Sequence, residues 1–134
     1  MALKFHLADD DFCFVCGKKN DRGLQLEFIL EERKAIRCDF TPDKAYQGFS
    51  GIVHGGILGL ILDEAMVSLL WKLGKNAITA QFQMRLKNPA YVDEPLVFHA
   101  GIEKEERKII YTFAECKDQN GRVIATATAA CMKV

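Results

Sequence analysis

An α+β fold is predicted, with one antiparallel sheet curled around a single central helix. Three observations predict it. Residues 55–73, "GGILGLILDEAMVSLLWKL", are apolar nearly all round and lack β-type alternation. Six other segments alternate in polarity or are rich in β-branched and aromatic residues, as strands are. The last of them, "RVIATATAACMKV", is rich in alanine, whose small side chain lets a sheet approach a helix closely. A helix without a broad polar face, in a chain otherwise made of strands, has to be wrapped by the sheet.

The elements follow in the order β-β-α-β-β-β-β. Early in the chain, "CFVCGKKNDRG" reads as a loop, rich in Gly, Asn, Asp and Lys. "LQLEFIL" puts Leu24, Leu26, Phe28 and Leu30 on one face, and "AIRCDF" alternates again through Ile36, Cys38 and Phe40. The polar "EERK" between them makes the pair a β-hairpin. "TPDKAYQGFSG" is a second loop leading into the helix, which Gly74 stops. Four strands follow: "AITAQFQMRL", "PLVFHAGIE", "KIIYTFAECK" and "RVIATATAACMKV". Asn120-Gly121 joins the last two, a strong hairpin signal. No repeat, linker or low-complexity segment interrupts this order, so residues 1–134 read as one domain.

Composition excludes several function classes. Lys+Arg and Asp+Glu both total 18, the formal charge is zero, and no basic patch or tail suggests nucleic-acid binding. A chain with so little net charge is also poorly protected from self-association. No stretch approaches the roughly 18 apolar residues of a membrane span. "MALKFHLADDDF" has no signal-peptide core, so a cytoplasmic address is expected. Five cysteines form an odd count, and three lie inside apolar or alternating stretches, which suits reduced thiols. Cys13-x-x-Cys16 raises a zinc reading. A structural zinc normally takes four ligands, and no second CxxC or HxxxH lies downstream, so no metal is expected. The pair reads as part of a loop packed beneath the sheet.

The helix carries two anomalies. Asp63 has Gly59, Leu60, Met66 and Val67 as its helical neighbours, all apolar or small. A carboxylate there has to find partners, shift its pKa or serve a function; a subunit contact or a loop hydrogen bond would also explain it. Glu64 lies in a row with Ser68 and Lys72 and reads as a solvated rim residue. Gly55 and Gly56 fall at the helix start, where the first N–H groups lack intrahelical partners and the macrodipole is positive. Bare glycine amides there can hold a ligand oxygen, or can simply make a tight turn. Gly55 and Asp63 are eight residues apart, roughly 12 Å along a helix at about 1.5 Å per residue. One reacting carbonyl cannot touch both. If both act on one substrate they come from different subunits of a two-fold dimer.

"GIVHGGILGLILDEAM" resembles the HGG-helix motif of the hotdog-fold thioesterases, particularly the PaaI-type branch related to phenylacetic-acid degradation. "CFVCGKKNDRGLQLEF" resembles the lead-in of one group of these proteins, and "QGFSGIVHGG" that group's active-site loop. The similarity runs from about residue 12 to the end. It implies a hotdog fold and hydrolysis of an acyl-CoA thioester, with CoA as part of the substrate and no separate cofactor. Gly55, following His54, matches the glycine whose N–H polarises the thioester carbonyl. Asp63 matches the carboxylate that acts as nucleophile or as general base toward water. Thr79 aligns with a hydroxyl residue that helps hold the water. Many members carry an Asn six residues before the histidine; Gly48 stands there, and neighbouring Gln47 is the candidate replacement amide. His54 in such proteins more often anchors the loop than serves as a base.

Gly56, Glu64 and Arg85 complete the expected substrate-binding set, Arg85 together with Lys87 as contacts for the CoA phosphates. Phe49, Met66, Trp71 and Phe82 are the residues whose meeting would set acyl-pocket length. A homodimer is expected, or a dimer of dimers. Two rival classes remain. A non-catalytic acyl-CoA or acyl-carrier binder would keep the pocket without needing Asp63. A hydratase would need a catalytic His in an acidic setting, and His99 has no such motif around it.

Overall fold

The computed structural model describes residues 6–134. Residues 1–5, part of the stretch read above as lacking a signal core, lie outside the described residues. Six strands and one long helix follow in the expected order: β1 (Ile29–Glu31), β2 (Ala35–Phe40), α1 (Gly55–Lys72), β3 (Ala77–Leu86), β4 (Leu96–Glu105), β5 (Ile109–Asp118) and β6 (Val123–Lys133). The sheet order is β1-β2-β4-β5-β6-β3 and every pair is antiparallel. The helix crosses the concave side, packed against β2 through β6. Small residues of β6 (Ala125, Ala127, Ala129 and Cys131) are buried in the core, as the alanine pattern predicts. Gly74 takes φ +75°, the left-handed turn that ends the helix. No described helix is long and apolar enough to cross a membrane.

The first predicted strand is shorter than its alternation suggests. Only residues 29–31 pair with β2. Upstream, the amides of Leu24 and Leu26 donate to the carbonyls of Phe14 and Val15 at 2.9 and 2.8 Å. That stretch therefore satisfies its backbone on the "CFVC" loop rather than on the sheet. Phe28 is still buried, but Leu30 is exposed. The polar turn is a short 3-10 segment, Glu32–Lys34, with Arg33 and Lys34 at positive φ.

Ends of several elements meet at Glu105. Its carboxylate accepts from Lys133 at 2.8 Å and from Lys75 at 2.9 Å, tying the end of β4 to β6 and to the turn after α1. These two lysines pull its pKa from 4.5 down to about 2. A depressed carboxylate stabilises the fold above its unfolded pKa, and that contribution disappears as pH falls from about 4.5 through about 2. Glu105→Gln is expected to lower Tm slightly at neutral pH, and the difference from wild type should vanish by about pH 2. Thermal unfolding across that window checks it.

Two features of β3 bear on function. It is ten residues long and bonds β6 on one side only, so its outer edge is unpaired among the described residues. A long exposed edge invites pairing with another strand. Its register to β6 also shifts between Thr79 and Gln81. Such a bulge reverses which face subsequent side chains occupy.

Candidate active site

The loop before the helix is held by its own backbone. The amide of Gly48 donates to Ile52 (2.8 Å), that of Val53 to Ala90 (2.8 Å) and that of His54 to Tyr46 (2.8 Å). Gly51 sits at φ +80°, where a side chain would be strained. Gln47 Oε1 accepts the Gly51 N–H at 3.0 Å, so its carbonyl oxygen is used within the loop. No described residue accepts from its amide nitrogen, and Gln47 lines a small cavity with Tyr46, His54, Gly56 and Ile57.

His54 is the N-cap of α1. Its Nδ1 accepts the Gly56 N–H at 2.8 Å. The Gly56 amide, expected to meet substrate, is thus engaged by the cap within the chain. The Gly55 N–H has no partner among the described residues. One free amide therefore stands at the positive end of an 18-residue helix. A cleft beside it is lined by Phe49, His54, Leu58, Leu86 and Lys87.

Asp63 has found a partner. Thr79 Oγ1 donates to its Oδ1 at 2.8 Å. The bulge explains how. Thr79 faces the helix, and after the extra residue Met84 and Leu86 face it too. A Cβ on Gly59 would sit 3.1 Å from Met84 Cε, and one on Gly55 would sit 2.9 Å from Leu86 Cδ1. Gly55, Gly59 and Asp63 thus run along one helix face against Leu86, Met84 and Thr79. The glycines let α1 lie close to β3, and without the bulge Thr79 would point to the far side of the sheet.

The two adjacent carboxylates diverge. Glu64 is not a solvated rim residue: it is half-buried, its Oε1 and Oε2 each 3.5 Å from a thiol, Cys13 and Cys16 respectively. Burial pushes its pKa up, opposed by the thiol contacts. Burial and the nearby Glu64 charge likewise push the Cys16 thiol well up. Ser68, expected on the same polar row, is buried. The "CFVC" loop therefore lies over the helix rather than beneath the sheet. Nothing in residue spacing could have revealed that, since Glu64 is 48 residues from Cys16.

Other predicted contacts separate. Arg85 alternates with Met84 and Leu86, so it occupies the opposite face of β3, exposed to solvent. Lys87, not Arg85, borders the Gly55 cleft. Met66 is fully buried, while Phe49 is 85% exposed beside Gly55 and Trp71 lines a different cleft next to Cys13. Phe49 and Trp71 therefore line separate clefts, while the ring of Phe82 lies against α1 at Gly59.

A family model described as the thioesterase superfamily matches residues 50–125, more than half of the chain. The chain belongs to that superfamily. The matched span contains Gly55, Asp63 and Thr79 and starts after Cys13, Cys16 and Gln47. Human acyl-coenzyme A thioesterase THEM5 is 29% identical over 94 residues, which cover 69% of this chain and 38% of that protein. Curated relatives are matched over 38% to 52% of their length. A putative thioesterase of Ralstonia eutropha JMP134, described as a phenylacetic acid degradation-related protein, superposes with TM-score 0.73 at 27% identity, covering 81% of this chain and 85% of that one. A hypothetical thioesterase of Streptococcus pneumoniae TIGR4, solved with coenzyme A, has TM-score 0.76 at 17% identity, covering 81% and 85%, and shares the fold. This superfamily member has the hotdog architecture, a six-stranded antiparallel sheet around one helix.

Proposed function

We propose that the protein hydrolyses an acyl-CoA thioester at two equivalent sites of a homodimer. The carrying observation is the pairing of a free Gly55 amide at the helix start with an Asp63 held by Thr79 two turns on. They are roughly 12 Å apart on one helix, too far for one carbonyl. The unpaired edge of β3 supports a two-fold dimer, because pairing that edge with its copy would bring two helices alongside in opposite directions. Gly55 of one subunit and Asp63 of the other then flank a single carbonyl.

In this reading the Gly55 N–H and the helix terminus stabilise the oxygen as negative charge develops on it. Thr79 occupies Oδ1 of Asp63, and no described residue donates to Oδ2. That oxygen either attacks the carbonyl carbon, or takes a proton from a water that does. The C–S bond breaks and CoA leaves as thiol. With Asp63 as base, the attacking water supplies the second oxygen of the released acid. With Asp63 as nucleophile, an acyl-aspartyl anhydride forms that a water then hydrolyses, releasing the acid and restoring the carboxylate. Lys87 is the cation best situated for the CoA phosphates. The coenzyme A named with the streptococcal relative and the activity named for the human relative favour this substrate class. No separate cofactor takes part.

Release of free thiol from short, long and aromatic acyl-CoAs tests the reading. Turnover of at least one, by a dimer, is expected. Tight binding of acyl-CoA without any release would make the protein a non-catalytic binder and overturn the hydrolase. Thr79→Val should lower kcat about tenfold, through loss of one hydrogen bond to a charged group worth about 1.5 kcal/mol. An unchanged kcat would leave Thr79 as an ordinary strand residue.

A further inference from the structure

The Cys13-x-x-Cys16-Gly17 turn has features that a packed loop does not require. The Gly17 N–H donates to the Cys13 carbonyl at 2.9 Å, closing the turn so that both sulfurs lie on one side. A Cβ on Gly17 would run into the backbone of Phe12 and Cys13. The Val15 N–H points at Cys13 Sγ, 3.4 Å away. The two sulfurs and a carboxylate oxygen of Glu64 all lie within 4.8 Å of one another. Among the described residues Glu64 makes no ion pair, although Lys18 and Lys72 border the same cleft.

The distances fit a common centre. A tetrahedral zinc has Zn–S bonds of about 2.3 Å and Zn–O bonds of about 2.0–2.2 Å, which separate S and O ligands by roughly 3.5–3.7 Å. Cys13 Sγ lies 3.5 Å from Oε1 of Glu64 and Cys16 Sγ 3.5 Å from Oε2. Each sulfur is thus at ligand distance from one oxygen of the same carboxylate, and a small rotation of that carboxylate brings a single oxygen to both. We infer that Cys13, Cys16 and Glu64 form a binding site for a divalent, thiolate-preferring cation, with zinc the best fit. A water from the adjoining cleft, lined also by Asp9 and Asp11, takes the fourth position. Each thiol releases its proton to solvent as its metal–sulfur bond forms, with no change of oxidation state. The ion fastens the loop carrying the two cysteines onto α1, one residue beyond Asp63. Two ligands come from outside the family-matched span and the third from inside it. No second ligand pair lies downstream in the sequence; the third ligand is a lone Glu on the helix.

Cobalt(II) added to reduced, metal-stripped full-length protein is the test, with zinc content measured in parallel. Expected results are one ion per chain and a thiolate-to-cobalt charge-transfer band in the near ultraviolet. Cys38, Cys116 and Cys131 are buried in the core and do not compete. Cys16→Ser should remove about half of that band, and Glu64→Gln should weaken affinity at least about tenfold. Absence of the band in folded, reduced wild type would overturn the site. So would a band that survives the double replacement of Cys13 and Cys16 by Ser. Reduced, folded wild type that takes up neither cobalt nor zinc would also overturn it. None of these readouts depends on thioester turnover.

Discussion

Asp63→Asn is expected to lower kcat for acyl-CoA hydrolysis by about 10²- to 10⁴-fold, while the dimer and its affinity for acyl-CoA stay nearly unchanged. Asparagine is nearly isosteric with aspartate, and its Oδ1 can still accept from Thr79, whose hydroxyl lies 2.8 Å away in the native protein. The replacement therefore keeps the helix–β3 contact and removes only the charge. An amide can neither attack a thioester usefully nor take a proton from water. A thousandfold loss corresponds to about 4 kcal/mol of transition-state stabilisation. Free-thiol release, with sedimentation to confirm the dimer, measures both quantities. Turnover within about threefold of wild type would mean that the Thr79–Asp63 pair is a strut between α1 and β3. A single turnover in ¹⁸O-water then separates the two chemistries in wild type. Label entering the Asp63 carboxylate marks it as nucleophile; label confined to the product acid excludes an anhydride opened at the aspartyl carbon.

The fold was legible because its signals are local. The helix lacks a polar stripe wide enough for solvent, Gly74 supplies a left-handed stop, and the alanines of β6 announce a close helix. The limits of α1 and β3 to β6 fall within two residues of expectation. Three things were not legible, for one reason. The loss of strand pairing at Leu24 and Leu26, the capture of the Gly56 amide by His54, and the turn of Glu64 toward Cys13 and Cys16 all depend on where a loop lies in space. The bulge at Thr79 is similar. Alternation along "AITAQFQMRL" puts Thr79 on one face and Met84 on the other, and one extra residue in the ladder brings them to the same face. Helical neighbours alone made Asp63 the odd carboxylate and left the buried setting of Glu64 unseen.

The shared site gives its sharpest prediction through Gly55. Proline at this position would delete the one N–H assigned to the carbonyl oxygen and leave the helix intact. Position 55 is the first of α1, where proline is tolerated because its missing donor has no intrahelical partner. His54, at φ −60° and ψ 130°, already has the extended conformation required before a proline. Gly55→Ala is the matched control. It adds a Cβ against the movable tip of Leu86 while keeping the N–H. Gly55→Pro should lose about 10²- to 10³-fold in kcat, the usual cost of one oxyanion donor, and Gly55→Ala far less. Co-expressing Gly55→Pro with Asp63→Asn under two different tags then yields a mixed dimer. If Gly55 and Asp63 serve the same carbonyl from different chains, that dimer holds one doubly damaged site and one intact site. Its activity should return to about half of wild type. If each chain carried a complete site of its own, neither site in the mixed dimer would be whole, and activity would stay at the level of the parents.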